Sequence, residues 1–473
     1  MHWLALHLPL LPLERHAIGN PKPRPAVLVD GGHRPRVVLA SPSATRLGIR
    51  SGMALSAARA LVPELTLHHA DPSADRATLE RLACWSGQFT PAVSLLEKGL
   101  LLDIAGSLNL FGGVAPLLTQ LRRGVRRLGY RFCNTAMAPT PQGAWLLARA
   151  GDRRPVLDTD ALRERIDALP VEVLDVSANT VTRLVDVGVR TLGDLLTLPR
   201  GGAIKRFGTD VLGQLDRALG IAPDPRPLFI PPETFSARLP LPAEVREVEP
   251  VLFGLRRLLA ELHGFLMAKG QGIDTATLHL LHPEGGETPV TLTRLSLTRD
   301  DQHLFGLFRE RLGRQKLERA VDALLLTTGD TSSLAARAHG LFGEVPEDED
   351  GQLLERIRAR LGDSAVTGIH GVAEHRPERA WKRCAPGLRR LAVADDARPL
   401  WLLANPQPMP VAAGLPCRGG PLALTAGPER IESGWWDGAD VTRDYYLARH
   451  GRGGGYWVFR DRDGAWFLHG VFA

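Results

Sequence analysis

The sequence predicts an α+β chain of several domains, and three observations carry that prediction. A chain of 473 residues is too long for a single hydrophobic core and fits three or four domains. Apolar runs of strand length alternate with amphipathic stretches of helix length, and residues 233–328 read in the order β-α-β-β-α-β. From Arg376 onward the composition turns to short aromatic strands separated by glycine turns, a small β-rich C-terminal module. With 44% hydrophobic and 23% charged residues the material is ordinary globular protein. A net charge of +6 and a pI near 9.4 are compatible with a polyanionic partner such as nucleic acid. Cys84, Cys133, Cys384 and Cys417 are too dispersed for a zinc knuckle or a disulfide framework, which points to a reduced, cytoplasmic setting. The run WLALHLPLLPL has two prolines, no basic start and no small-residue cleavage site, so it reads as a strand entering the core and not as a signal peptide. No stretch approaches the roughly 20 apolar residues of a membrane span.

Trp3–Leu8 is the first buried strand, and Ala26–Val29 with Val37–Ala40 forms a hairpin turning at Gly31-Gly32. Ser43–Leu47 and Ala54–Leu61 have helical composition, punctuated by Gly48 and Gly52. Asp75–Gln88 is an amphipathic helix. Ala92–Leu96, a charged turn (Glu97, Lys98, Gly99) and Leu100–Ile104 make a buried hairpin. Val114–Leu128 is a further helix, with Arg122, Arg123, Arg126 and Arg127 on about one face, either a solvated face or a nucleic-acid contact. Phe132–Met137 is a strand and Gln142–Ala150 a helix. Between Asp158 and Gly220 short helices are separated by Gly188, Gly201, Gly202 and Gly208. There VTRLVDVGVRTLGDLLTLP has the rhythm of a helix-hairpin-helix unit, whose turn amides face a DNA phosphate; a plain helical packing unit is the other reading. Gly188, Arg190, Lys205 and Arg206 are its candidate DNA-binding residues.

Asp224–Pro232 is a proline-rich linker. Beyond it come a strand (Phe235–Leu241), a long helix (Val248–Ala268), strands at Thr275–His282 and Pro289–Leu297, a helix (Asp301–Leu312) and a strand (Ala320–Thr327). Thr291, Thr293, Ser296 and Thr298 alternate with Val290, Leu292, Leu295 and Leu297, one hydroxyl-bearing face against one core face. Arg294 and Arg299 on that sheet either touch DNA phosphates or are solvated. Gly329–Asp350 reads as a linker ending in an acidic run, and Leu353–Leu361 as a charged helix. Most aromatics of the C-terminal module belong to its core; those left exposed form a partner surface, with Trp435, Trp436, Tyr445 and Tyr446 the candidates.

The hairpin resembles the palm hairpin of the Y-family (lesion-bypass) DNA polymerases, whose S-x-D-E-x-Y-L-D segment supplies two acidic metal ligands. With its last Asp on Asp103, the acidic pair falls on Lys98 and Gly99. The family's D-x-D-x-F-x-A-x-V-E, hung on Glu14, puts the first metal-binding Asp at Ala5 and the next at His7. The fingers pattern A-x-x-Y-E-A-R-x-x-G-I-x-x-G-M is matched by S-P-S-A-T-R-L-G-I-R-S-G-M, with Pro42 and Thr45 where the triphosphate-holding Tyr and Arg stand; neighbouring Arg46 substitutes only if the register slips by one. In the N-K-x-x-A-K helix the first Lys is Trp145 and the second Arg149. A lysine in a carboxylate's place repels a divalent cation by about 8 kcal/mol at about 4 Å and an effective dielectric of about 20. The resemblance therefore implies a polymerase scaffold without catalytic residues, metal or cofactor. It implies palm and fingers over 1–155, a helix-hairpin-helix thumb over 156–223 and a little finger over 233–328. A linker follows over 329–352, then a C-terminal partner-binding region over 353–473. Within the linker, Leu341-Phe342 resembles the tail of the Q-L-x-L-F peptide that hooks the sliding clamp, with Ala338 in place of the Gln.

The segment E-R-I-E-S-G-W-W-D-G…R-D-Y-Y…L-H-G-x-F is similar to the C-terminal part of the catalytically inactive Y-family-like subunits of bacterial damage-induced mutasomes. That likeness implies a non-polymerising adaptor on damaged primer-template DNA, with the sliding clamp, an error-prone C-family polymerase and a RecA-like accessory protein as partners. It implies no membrane association and a cytoplasmic, nucleoid-associated location. A slow but working Y-family polymerase stays open as the alternative, and carboxylates discriminate the two: Met1–Leu11 contains no Asp or Glu.

Overall fold

Residues 3–7 are apolar at nearly every position, the pattern of a strand covered on both faces, and they form β1 (Trp3–His7), in which Leu4, Ala5 and Leu6 are wholly buried. The computed structural model of the chain describes residues 2–17, 24–314, 316–334, 349–384, 386, 398–399 and 401–472. It divides into two units, Met1–Glu347 and Asp348–Ala473.

After β1, α1 (Leu11–Ala17) leads to a small sheet of β2 (Ala26–Val29), β3 (Val37–Ala40) and β4 (Thr66–His69) in the order β3-β2-β4. Its helices are α2 (Pro42–Arg46) and α3 (Leu55–Leu61), and Val27, Val29, Val37, Ala44, Ile49 and Ala58 make its own core. β4 pairs parallel to β2 and was not expected from the sequence. α4 (Pro72–Ser86) starts before Asp75 because Asp71 caps it, accepting from Ala74 N, with Pro72 in the first turn. β5 (Val93–Leu96) and β6 (Gly99–Asp103) form the expected hairpin; α5 (Val114–Arg127), β7 (Asn134–Ala138) and α6 (Pro141–Ala150) follow. The sheet runs β5-β6-β1-β7, with all pairs antiparallel. α6 packs on the face bearing Ala5, Leu101, Ala136 and Ala138, while α4 and α5 cover Leu4, Leu6, Leu100 and Leu102 on the other.

The α6 core continues into five short helices: α7 (Thr159–Asp167), α8 (Ala178–Asp186), α9 (Leu192–Thr197), α10 (Arg200–Phe207) and α11 (Thr209–Ala218), through Leu162, Leu184, Leu195 and Leu215. Polar ties fix them to α6: Thr140 Oγ1 donates to Ala218 O at 2.6 Å, and buried Gln142 meets Gln214. Next comes the β-α-β-β-α-β series of β8 (Ser236–Val245), α12 (Val248–Lys269), β9 (Gln271–Leu281), β10 (Glu287–Thr298), α13 (Asp301–Leu312) and β11 (Val321–Thr328). Its sheet order is β10-β9-β11-β8. The stretch expected to be linker from residue 329 instead opens with β12 (Thr331–Ser333), which pairs with Ile273–Gln271 of β9. Its three polar residues carry no apolar alternation, so the strand rests on backbone pairing alone.

α12 docks on α4 through a ring held between glycines. A Cβ on Gly124 of α5 would lie 2.3 Å from the Trp85 ring and one on Gly264 of α12 2.4 Å from it, so only glycine admits the indole at both places. Beside it Arg257 is buried, its Nη2 donating to Tyr130 Oη at 3.0 Å and its Nε to Glu261 at 3.0 Å.

The second unit begins with α14 (Glu349–Leu361), which starts inside the expected linker, and a hairpin of β13 (Gly368–Gly371) and β14 (Trp381–Cys384). β15 (Trp401–Met409) and the small hairpin β16 (Val411–Ala412) and β17 (Leu415–Pro416) precede β18 (Leu422–Ser433), β19 (Val441–His450), β20 (Gly455–Asp461) and β21 (Trp466–Phe472). They form an antiparallel sheet ordered β15-β21-β20-β19-β18. Both faces are apolar: Ile431, Tyr445, Trp457 and Phe459 on one, Leu422, Ala448, Val458, Trp466 and Leu468 on the other.

Candidate functional site

The register of β1 on β6 sets the expected acid positions 98 and 99 at one end of the sheet and position 5 at the middle of β1: His7 faces Gly99, Ala5 faces Leu101, and Leu8 N donates to Lys98 O at 2.8 Å. Ala5 is wholly buried against α6. At Gly99 a Cβ would lie 2.0 Å from Leu6 O and 2.9 Å from Trp145 Cζ3, so the backbone has closed over the place from which a carboxylate would project. Trp145 is buried and meets His7 edge-to-face at 5.2 Å. Burial first, then the Arg149 guanidinium and the Lys98 ammonium, bring the His7 pKa down to about 4, so the imidazole is neutral at pH 7. Arg149 is held by Asp175 at 2.9 Å, and Lys98 is exposed.

These residues do not fit the divalent-metal pair that nucleotidyl transfer requires. The positions nearest one another offer a methyl group, an ammonium and a bare backbone, none of which ligates such an ion. Among the described residues no group of three or more His, Cys, Asp or Glu side chains converges in metal-binding fashion. Asp103 lies at the far end of β6, where its Oδ1 accepts from Ala105 N at 3.1 Å and caps the following turn.

Two of the expected triphosphate positions, Pro42 and Thr45, lie in α2. Pro42 opens α2, Thr45 Oγ1 donates to Ser41 O at 3.1 Å, and Arg46 Nε turns back to Pro42 O at 3.3 Å, bonded to its own helix. An apolar cleft of about 610 Å³ separates β2 and β3 from α4 and the β5–β6 hairpin; Leu28, Val38, Leu79 and Leu95 line it and Lys98 stands at its edge. A polar cavity of about 450 Å³ beside Trp145 is filled with internal partnerships, among them Arg226 to Gln142 at 2.7 Å and to Asp224 at 2.8 Å. Sequence reasoning missed this network, since its glutamines lie in helices with no periodic or motif signal.

Gly188 turns between α8 and α9 with φ 87°, as a tight helix–helix turn requires. The turn's amides are already bonded, which corrects the expected phosphate contact. Val187 N and Val189 N donate to Leu184 O, Gly188 N to Val185 O, and Arg190 N and Thr191 N to Asp194 Oδ2 at 3.0 and 2.9 Å. What this region presents outward is its side chains, with Arg190, Lys205 and Arg206 all exposed. Arg294 is half-buried on β10, and half-buried Arg299 lends its carbonyl to His263 at 2.7 Å. Leu341 and Phe342 lie outside the described residues.

In the loop between β18 and β19 Trp435 is 79% exposed and Trp436 56%. Their loop is pinned by buried Arg376, which forks onto Asp437 at 2.9 and 2.7 Å. Tyr445 is a correction to the expected partner surface. It is buried, stacked on Trp457 at 4.1 Å, and its hydroxyl pairs with His469 Nδ1 at 2.7 Å. Tyr446, on the opposite face, packs half-buried against Trp466.

Residues 15–149 match the impB/mucB/samB family. Protein ImuB of Caulobacter vibrioides is 29% identical over 458 residues, spanning 90% of this chain and all of that protein. DNA polymerase IV of Moorella thermoacetica is 26% identical over 72% of this chain and 88% of its own length, and DNA polymerase IV 2 of Mesorhizobium japonicum 28% over 54% and 62%. Among solved structures, DinB from Sulfolobus solfataricus aligns with 71% of this chain and all of its own at 17% identity and a TM-score of 0.40. The chain is a homologue of Protein ImuB that carries an impB/mucB/samB domain over residues 15–149.

Proposed function

We propose that the chain is a non-catalytic adaptor in DNA-damage-induced translesion synthesis, a Y-family polymerase scaffold that sits on damaged primer-template DNA without extending it. The observation that carries this reading is the closure at Gly99, where Leu6 O and the Trp145 ring take the space a metal-binding glutamate would need. Arg190, Lys205 and Arg206, with Arg294 and Arg299, are the proposed DNA contacts. Leu341 and Phe342 are the proposed clamp hook. The exposed pair Trp435 and Trp436 is the proposed surface for the error-prone C-family polymerase or the RecA-like accessory protein, since rigid exposed indoles supply contact area at low entropic cost.

Similarity to DNA polymerase IV proteins favours the alternative, a slow lesion-bypass polymerase. Primer extension with magnesium and with manganese separates the two. The adaptor reading expects no incorporation, and incorporation that an Asp103→Ala change abolishes would overturn it.

A further inference from the structure

The β7 edge of the first sheet carries a positive recess away from the hairpin that holds Lys98 and Gly99. Arg122, Arg126, Arg131 and Arg153 converge there with Thr135 and Cys133 around a hollow of about 30 Å³. Arg122 is fixed in place, its Nε donating to Thr135 Oγ1 at 2.8 Å and its Nη2 reaching Arg153 O at 3.5 Å. Among the described residues none of the four ion-pairs with a carboxylate, whereas Arg127, one residue beyond Arg126, is neutralised by Asp301. Glu14 bears electrostatically on Arg131, but its Oε1 is taken by the amides of Arg131 and Phe132 at 2.6 and 3.1 Å. Partial burial and then the neighbouring Arg153 guanidinium hold the Arg122 pKa below its usual value. Among the described residues Arg122, Arg126 and Arg153 have no carboxylate in ion-pairing distance, and guanidinium groups crowded in this way form an arrangement that a bound anion relieves.

The hollow is narrow but has room for a water-sized group, enough for phosphoryl oxygens. Arg122 and Arg126 stand one helical turn, about 6 Å, apart, so a strand laid along α5 meets them in succession. Exposed Arg123 and Arg154 extend the patch. Phe132 lines a neighbouring hollow that shares Arg131 with this one and leaves 42% of its surface exposed, and an aromatic face reached past a shared guanidinium suits an unpaired base better than an acidic peptide. We propose that this edge is a contact for a single nucleic-acid strand, with Arg122, Arg126, Arg131 and Arg153 on its phosphates and Phe132 stacking on a base. The contact lies outside the cleft of the proposed function and does not depend on that cleft being inactive.

The test is fluorescence anisotropy of the full chain with a labelled 20-nucleotide oligo-dT (about 20, as an ordinary probe length) across a salt series. Each phosphate neutralised on a single strand contributes about 0.7 to the slope of log K against log salt. Arg126→Glu with Arg153→Glu should lower the slope by about 1.4, equivalent to about 25-fold weaker binding at about 0.1 M salt. Phe132→Ala should weaken binding about fivefold or more with the slope unchanged. Both arginines are exposed, so melting should match the wild type; if charge reversal lowers it, the Arg126→Gln, Arg153→Gln pair carries the same slope test. Unchanged affinity and slope in these variants, with loss confined to an Arg190→Glu, Lys205→Glu control, would overturn the proposal while leaving DNA binding by the scaffold intact. Failure of the wild type to bind the oligonucleotide, or equal competition by a glutamate-rich peptide, would overturn it too.

Discussion

Replacing Gly99 by alanine adds one methyl group where the structure has no room for it. Its Cβ would stand 2.0 Å from Leu6 O and 2.9 Å from Trp145 Cζ3. An ordinary contact needs roughly 3.4 Å, so β6 must move off β1 by more than about 1 Å, and Leu6 O is backbone that cannot rotate away. Overpacking of this kind costs about 1–3 kcal/mol, and the upper end applies because the obstacle is main chain on a central strand. Unfolding entropy of about 2.1 cal/mol/K per residue over the unit Met1–Glu347 converts about 3 kcal/mol into a melting shift of about 4 °C. Differential scanning calorimetry of Gly99→Ala against a Gly106→Ala control, where a Cβ meets nothing within 4 Å, reads this directly. The same geometry predicts that Ala5→Asp, Lys98→Asp and Gly99→Glu together fail to create polymerase activity, because the new carboxylates have no open cleft to enter. A Gly99→Ala protein melting within about 1 °C of the wild type, or incorporation by the triple variant, would refute the claim that this backbone is closed.

Three further outcomes are expected. Arg257→Met, which unpairs the Tyr130 hydroxyl and leaves buried Glu261 with only Arg81 at 3.5 Å, should cost about 3–5 kcal/mol, and adding Glu261→Leu should recover much of it; thermal melting of both variants checks this. His7 has a folded pKa near 4 against 6.5 in the unfolded chain, so its contribution is complete above pH 6.5 and is lost as pH falls toward 4, by about 3 kcal/mol at most. Stability of His7→Leu measured between pH 7 and 4.5 should therefore fall less than that of the wild type. Trp435→Ala with Trp436→Ala should abolish capture of the C-family polymerase or the RecA-like protein without lowering the melting temperature, whereas Tyr445→Phe should cost about 1–2 kcal/mol by unpairing His469 and leave capture intact.

The sequence carried the hairpin at 92–104 and the β-α-β-β-α-β series because both rest on apolar runs bounded by turn residues. Asp301–Leu312 was legible to the residue, with its Asp300 cap and the following Gly313. β4 and β12 were not, since TLHH and TSS have no hydrophobic period and owe their conformation to partner strands distant in the chain. The residues at the expected site positions, Ala5, Lys98, Gly99 and Trp145, were readable one by one. Their joint effect was not, because it depends on the β1–β6 register and on how close α6 comes to it. Tyr445 and Tyr446 show a different limit. Alternation says that neighbours point to opposite faces, but not that both faces of this sheet are covered. The arginine recess draws on α5, β7 and the loop after α6, and only the α5 members fall within one readable period.

A cleft that must hold two metal ions keeps carboxylates near one another, an arrangement that opposes folding and survives only while chemistry selects for it. Once that demand is absent, each position is free to serve the core. Ala5 does so beneath α6, and Trp145 buries an indole worth about 1.5–3 kcal/mol against the same sheet. These positions differ in what an exchange would disturb. Lys98 is exposed and could be exchanged without disturbing a neighbour, whereas Gly99 and Trp145 depend on each other: the ring fits only while residue 99 has no side chain, and residue 99 cannot gain one while the ring is there. A carboxylate placed at residue 99 therefore costs stability before it brings any metal affinity. On the proposed reading, affinity for a nucleic acid comes from cations outside this closed ground, and exposed Arg123, Arg126, Arg131, Arg153, Arg190, Lys205 and Arg206 are the cations that stand there.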